Sequence, residues 1–152
     1  MTTLLEAPLR PAARDAAPAV PANAYRMLVA ARRALAEAEQ ARDAAERYAE
    51  AHLSALRAAA AVLAANARPE AGRRPRPTSV WTLLVRVAPE LAEWSEFFAA
   101  GADKRVAAQA GLRGAVTARE ADDLVRDARL FLDLVAARLG APGAGQPMLP
   151  LA

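Results

Sequence analysis

The chain has 152 residues and a formal net charge of +3, enough for one domain with a real core. It contains no cysteine, which excludes disulfides, thiolate metal sites and cysteine nucleophiles, and no apolar run reaches the ~18 residues of a membrane span. Aromatic residues supply only 5% of the sequence and alanine dominates its apolar part, so the core depends on a few large side chains, namely Trp81, Trp94, Phe97, Phe98 and Phe131. A core this thin leads us to expect self-association. All of the 20 basic residues except Lys104 are arginine, so the high calculated pI reflects the guanidinium pKa and is not in itself a nucleic-acid signature. The N-terminus lacks a basic stretch followed by an apolar core, and a cytoplasmic protein is expected.

Residues 1–20, with Pro8, Pro11 and Pro18 among Ala, Thr and Arg, have the composition of a disordered arm. A first helix is predicted from about Ala22 to Gln40, opened by Pro21 or Asn23, because Ala24, Leu28, Ala31, Leu35 and Ala38 recur at spacings of four and three. The connection to the next helix is so short that the two must lie antiparallel. That second helix, Asp43 to Asn66, is the longest uninterrupted stretch. Asp43 caps it with Glu46 three residues on, and six turns follow without Gly or Pro. At about 100° per residue its buried side is predicted to hold Ala45, Tyr48, Ala49, His52, Leu53, Leu56, Ala59, Ala60 and Leu63, with Glu46, Arg47, Glu50, Ser54 and Arg57 facing out.

Residues 67–77, ARPEAGRRPRP, exclude a helix interior. Arg68, Arg73, Arg74 and Arg76 make this segment either a phosphate-contacting arm or a solvated connector. The lack of an interleaved aromatic for base stacking favours the connector. Thr78 or Ser79 can cap a third helix bearing Val80, Trp81, Leu83, Leu84 and Val87, which Pro89 interrupts or restarts. The continuation places Leu91, Trp94 and Phe98 on one face with Phe97 alongside, up to Gly101. Residues 102–110 form a short helical segment closed by Gly111, and 112–116 a loop. Thr117 and Glu120 make a capping box for the last helix, whose apolar stripe is Ala121, Leu124, Val125, Ala128, Phe131, Leu132, Val135 and Leu139, ended by Gly140 and Pro142. Residues 141–152 read as a disordered tail. The architecture expected for residues 21–140 is all-α: an antiparallel up-and-down bundle of four main helices plus a short fifth helical segment.

The residues permit little ordinary active-site chemistry. There is one histidine, no serine in a nucleophile elbow and no Gly-rich phosphate loop. Glu120, Asp122, Asp123 and Asp127 lack the Glu-x-x-His companion of carboxylate-bridged metal bundles, and four-residue pairings with Arg119 and Arg126 account for them as a solvated face. No metal and no cofactor is expected.

From Tyr25 to Leu139 the chain resembles an HEPN domain (higher eukaryotes and prokaryotes nucleotide-binding) of a small actinobacterial branch. The resemblance is carried by AYRMLVAARRALAEA, ERYAEAHLSALRAAAAVLAA, SVWTLLVRVAPELAEWSEFFAAGADKR and AVTAREADDLVRDARLFLDLV. It implies a helical bundle that is commonly dimeric. Many members of the superfamily are metal-independent endoribonucleases whose signature is Arg, four to six residues, then His, usually on the last long helix. Here Arg47 and His52 fit that spacing, on the second helix. As catalytic residues, His52 would move a proton during 2′-hydroxyl attack while Arg47 stabilised the phosphate. Five residues along a straight helix turn two side chains about 140° apart, however, so Arg47 is predicted to face out and His52 in, as a neutral imidazole with one hydrogen-bond partner. The favoured expectation is a non-catalytic protein acting through homodimerisation or beside a partner such as a nucleotidyltransferase, the partner type being implied by the resemblance alone. The alternatives are a ribonuclease using Arg47 and His52, or RNA or nucleotide binding without cleavage through the Arg68 to Arg76 loop.

Overall fold

A computed structural model describes residues 20–66 and 79–141. Among these residues there are six α-helices, α1 (Ala22–Gln40), α2 (Ala44–Ala65), α3 (Val80–Val87), α4 (Ala92–Ala100), α5 (Ala102–Gln109) and α6 (Ala118–Leu139), a 3-10 turn (Pro89–Leu91) between α3 and α4, and no strand. The all-α bundle is therefore as expected. The N-terminal arm before residue 20, the arginine segment 67–77 and the tail after residue 141 lie outside the described residues.

The helices begin where side-chain oxygens meet free N–H groups. Asp43 accepts from the Glu46 N–H at 3.3 Å, Ser79 from the Trp81 N–H at 3.3 Å and Thr117 from the Glu120 N–H at 3.1 Å. α6 closes on Gly140, whose φ of 71° is open to glycine at little cost, with the Ala141 N–H returning to the Ala136 carbonyl at 2.8 Å. The third long helix of the bundle is split. Pro89 has no N–H and pushes Ala88 out of the helical region (φ −141°, ψ 71°), so α3 stops and the chain restarts through the 3-10 turn into α4.

α2 is the axle of the fold, packed against α1, α3, α4, α5 and α6. Its buried surface accordingly reaches much farther round than one amphipathic stripe. Tyr48, Ala49, His52 and Ala59 are buried as predicted, but so are Ala51, Ala55, Ala58, Ala61, Val62 and Ser54, whereas Leu53, Leu56 and Leu63 are only half-buried. Ser54, predicted to face out, is fully enclosed and donates to the Ala31 carbonyl of α1 at 2.7 Å. Alanine explains the error: it lies on every side of α2 and carries no directional signal. Small side chains on both helices, Ala24, Ala31, Ala34 and Ala38 against Ala51, Ala55 and Ala58, also let α1 and α2 approach until a serine hydroxyl reaches across.

The large side chains gather at one level. Phe98 and Phe131 are completely buried, with ring centroids 5.1 Å apart, and Trp81 stacks on Phe98 at 5.2 Å. Trp94 lies against both phenylalanines at 6.0 and 5.6 Å but is half-buried, and Phe97, expected among the core plugs, is 46% exposed. The Ser95 hydroxyl donates to the Trp81 carbonyl at 2.5 Å and locks α4 to α3.

Candidate functional site

His52 stands inside this aromatic layer. It is 1% exposed, stacked near Tyr48 and set edge-on to Trp81 and Phe98, with centroids 6.5, 6.1 and 6.1 Å away. Its Nε2 is 2.8 Å from the Phe98 carbonyl. A carbonyl only accepts, so Nε2 carries the proton and Nδ1 is left as a bare lone pair; Nδ1 is buried without a hydrogen-bond partner. Burial drives the imidazole pKa below its ordinary value, outweighing the Phe98 hydrogen bond that favours the charged form, and the nearby Arg105 lowers it further. His52 is a neutral donor in one fixed tautomer. The Phe98 carbonyl belongs to the last turn of α4 and also accepts from the Gly101 N–H at 3.1 Å, so a side chain of α2 completes the end of α4.

That junction requires Gly101. A Cβ there would stand 2.8 Å from the Tyr48 hydroxyl and 3.5 Å from His52 Cδ2, while the backbone angles (φ −85°, ψ −3°) suit any residue. Gly101→Ala is therefore expected to lower stability by about 1–2 kcal/mol in urea unfolding, because overpacking against an immobile ring outweighs the helix propensity gained. Adding Tyr48→Phe, which removes the touching oxygen, should restore most of the loss. If Gly101→Ala proved as stable as wild type, this close approach would not matter. Beside it, Lys104 and Glu120 pair at 2.8 Å; each holds the other charged, and burial raises the Tyr48 phenol. Glu120 thus turns toward α5 after its N–H has been capped by Thr117.

Arg47 leaves α2 on a different side. Its Nε and Nη2 donate to the Ala41 carbonyl at 3.2 and 2.9 Å, Nη2 also reaches the Arg42 carbonyl at 3.5 Å, and Nη1 meets Asp122 of α6 at 2.6 Å. The guanidinium ties the α1–α2 turn to the start of α6. A shallow open cleft beside it is lined by Glu39, Arg47, Asp122 and Val125, and its charges are paired, since Glu39 bonds Arg129. The structure thus directs Arg47 to the α1–α2 turn and α6, and His52 to α4. Arg68, Arg73, Arg74 and Arg76 lie outside the described residues.

The acidic residues of α6 pair differently from the four-residue scheme: Asp122 goes to Arg47, while Arg126 takes Asp123 at 3.5 Å and Asp127 at 3.8 Å. Among the described residues no three His, Asp or Glu side chains converge as a metal-binding group, and no helix is long and apolar enough to cross a membrane.

One surface feature escaped the sequence reading. On α6, Leu130 (53% exposed), Leu134 (42%) and Arg138 recur every four residues beside the buried Phe131. On the 3-10 turn and α4, Glu90, Trp94 and Phe97 recur at four and three. Arg138 bonds Glu90 across the gap and Trp94 touches Phe131, so the two stripes border one seam. The signal was present: two leucines four residues apart that fall off the buried stripe of their own helix.

Fold and site together define a helical bundle whose only histidine is a structural donor at a helix junction. The model of an HEPN family matches residues 38–136, from the end of α1 almost to the end of α6, and the chain belongs to that family. Searches of curated proteins and of solved structures gave no match.

Proposed function

We propose that this HEPN domain is non-catalytic and works by association, pairing with a second copy of itself. The observation that carries the reading is the set of large apolar side chains left exposed on α4 and α6: Phe97 on the first, Leu130 and Leu134 on the second. Single exposed apolar residues are ordinary, but two leucines one turn apart on one helix face, Leu130 and Leu134, favour a covered surface. The bonding of the two signature residues supports the same view. A proton-transfer group must reach its substrate, whereas the His52 proton is held by the Phe98 carbonyl and Nδ1 is sealed from solvent. Arg47 spends its donors on the Ala41 and Arg42 carbonyls and Asp122. A nucleotidyltransferase is the unlike partner to co-express, on family resemblance alone.

Purified protein is expected to leave single-stranded RNA intact in chelator and to sediment with the mass of two chains at micromolar concentration. Metal-independent cleavage that disappears in both Arg47→Ala and His52→Ala, with folding retained, would overturn the non-catalytic reading. A single-chain mass at every concentration, together with no complex on co-expression, would overturn association.

A further inference from the structure

α5 is lightly held. Of its eight residues only Ala108 is buried, and Val106 is 57% exposed. The helix packs on α2 and meets α4 at their junction. Among the described residues its one side-chain bond to another helix joins Lys104 to Glu120 of α6 at 2.8 Å. These two side chains are 41% and 42% exposed, so solvent screens the pair. Glycines bracket the helix. Gly101 precedes it, and Gly111 and Gly114 follow with φ of 73° and 74° and nothing within 4 Å of where a Cβ would stand. Residues 109–114 are exposed throughout. Beneath α5 lies the part of α2 that carries Tyr48 and His52. A Cβ on Gly101 would meet both, and the charges of Lys104 and Arg105 reach the phenol and the imidazole respectively. Few buried contacts and exposed ends allow one segment to open while its neighbours stay folded.

We propose that α5 is an acid-released lid, which swings between Gly101 and Gly111 and uncovers Tyr48 and His52 while α1, α2, α4 and α6 stay folded. The inference stands apart from self-association, which concerns the outer faces of α4 and α6. With the lid closed, His52 is out of reach of solvent, its Nε2 proton on the Phe98 carbonyl and its Nδ1 without a partner. With the lid open, Nδ1 faces water and can take a proton. The closed form refuses that proton, since a second N–H would find no acceptor and the new charge would lie near Arg105. Acid therefore draws the equilibrium toward the open form below the ordinary imidazole range, by up to about tenfold per pH unit. The other charged groups around the ring do not reproduce this. Tyr48 of α2 and Lys104 of α5, both raised, keep their protons there, Glu120 of α6, lowered, stays ionised, and Arg105 is a fixed cation. From α3 and α4 the Trp81 ring, the Phe98 ring and the Phe98 carbonyl face His52, and none of these titrates.

The test uses the full-length chain, which has no cysteine, with one thiol placed under the lid. Ala108→Cys reports opening of α5, and Ala128→Cys, fully enclosed in α6, reports unfolding of the whole bundle. Labelling by an aromatic disulfide is referred at each pH to a short peptide bearing the same thiol, which removes the titration of the thiol itself. The α5 thiol is expected to react at least ~tenfold faster than the α6 thiol at every pH. From pH 6.5 to pH 5.5 its protection should fall at least ~threefold, and His52→Gln, made in the Ala108→Cys chain, should remove that fall. Should either thiol disturb the fold, trypsin on the unaltered chain makes the same comparison. Cutting after Lys104 and Arg105 of α5 is then expected before cutting after Arg57 of α2 or Arg129 of α6. Equal protection of the two thiols, or cutting in α5 no earlier than in α2 and α6, overturns the lid. An α5 rate that is flat over the acid range, or that His52→Gln leaves as steep, overturns its release by acid.

Discussion

Phe98→Ala is expected to lower the unfolding free energy by about 3–5 kcal/mol, a large part of the roughly 5–15 kcal/mol that holds a domain of this size. Phe98 is completely buried and meets five other rings: Phe97 at 5.0 Å, Phe131 at 5.1 Å, Trp81 at 5.2 Å, Trp94 at 6.0 Å and His52 at 6.1 Å. Truncation removes the ring that α2, α3, α4 and α6 all touch. The cost depends on how well the site can collapse, and here it cannot do so cheaply. Much of the buried core is alanine, such as Ala55, Ala59 and Ala128, which has no side-chain rotamers with which to fill a void. The groups that meet the Phe98 ring are planar rings that also contact one another. Phe97→Ala provides the internal comparison, because the same chemical change on a 46% exposed ring should cost no more than about 1 kcal/mol. Urea unfolding followed by tryptophan fluorescence reads both, since Trp81 and Trp94 border the cavity. Equal losses from the two variants would mean that this layer is not the mechanical centre of the fold.

The helices themselves were legible because their boundaries are local. α1 runs Ala22–Gln40 as its spacing predicted, and Asp43, Ser79 and Thr117 cap where the pattern placed them. What sequence could not supply was direction in an alanine-rich helix. Ser54 went to the outer side of α2 on paper and to an α1 carbonyl in the fold, because several partners surround α2 and its alanines do not say which comes closest. Phe97 and Phe98 show the same difficulty in reverse: adjacent aromatics look equally core-forming, and only the position of α6 decides that one is sealed and the other left 46% exposed. At the candidate site, the inward turn of His52 and its single partner followed from helical geometry. The identity of that partner did not, since the Phe98 carbonyl is 46 residues away in sequence. Gly101 looked like mere punctuation for the same reason; the Tyr48 hydroxyl that demands it comes from another helix. Arg47 was correctly turned from His52, yet its Asp122 partner on α6 replaced the expected solvent.

Acid should weaken this protein through His52, and a His52→Gln variant should abolish that component. The folded imidazole has a pKa below 6.5, the ordinary value that the unfolded chain regains. Above pH 6.5 both states are neutral and the group contributes no pH dependence. As pH falls through 6.5, the unfolded state takes up a proton that the folded state refuses, so stability declines with acidification. The decline approaches about 1.4 kcal/mol for each pH unit and stops only below the folded pKa, where both states are charged. The structure supplies two reasons for the refusal. Protonation would place a second N–H on Nδ1, where no acceptor waits, and it would charge a ring enclosed by Tyr48, Trp81 and Phe98 with the Arg105 guanidinium nearby. Glutamine keeps a donor for the Phe98 carbonyl but cannot titrate. Carboxylates such as Glu120 titrate in both proteins and cancel in the comparison. Urea midpoints for wild type and variant, measured from pH 8 to pH 5, should therefore converge as pH drops, with the wild type losing more. A gap that stays constant over that range would show that His52 is free to take its proton in the folded state. The sealed junction between α2 and the end of α4 would then be wrong, and with it the strongest support for a histidine that does no proton transfer.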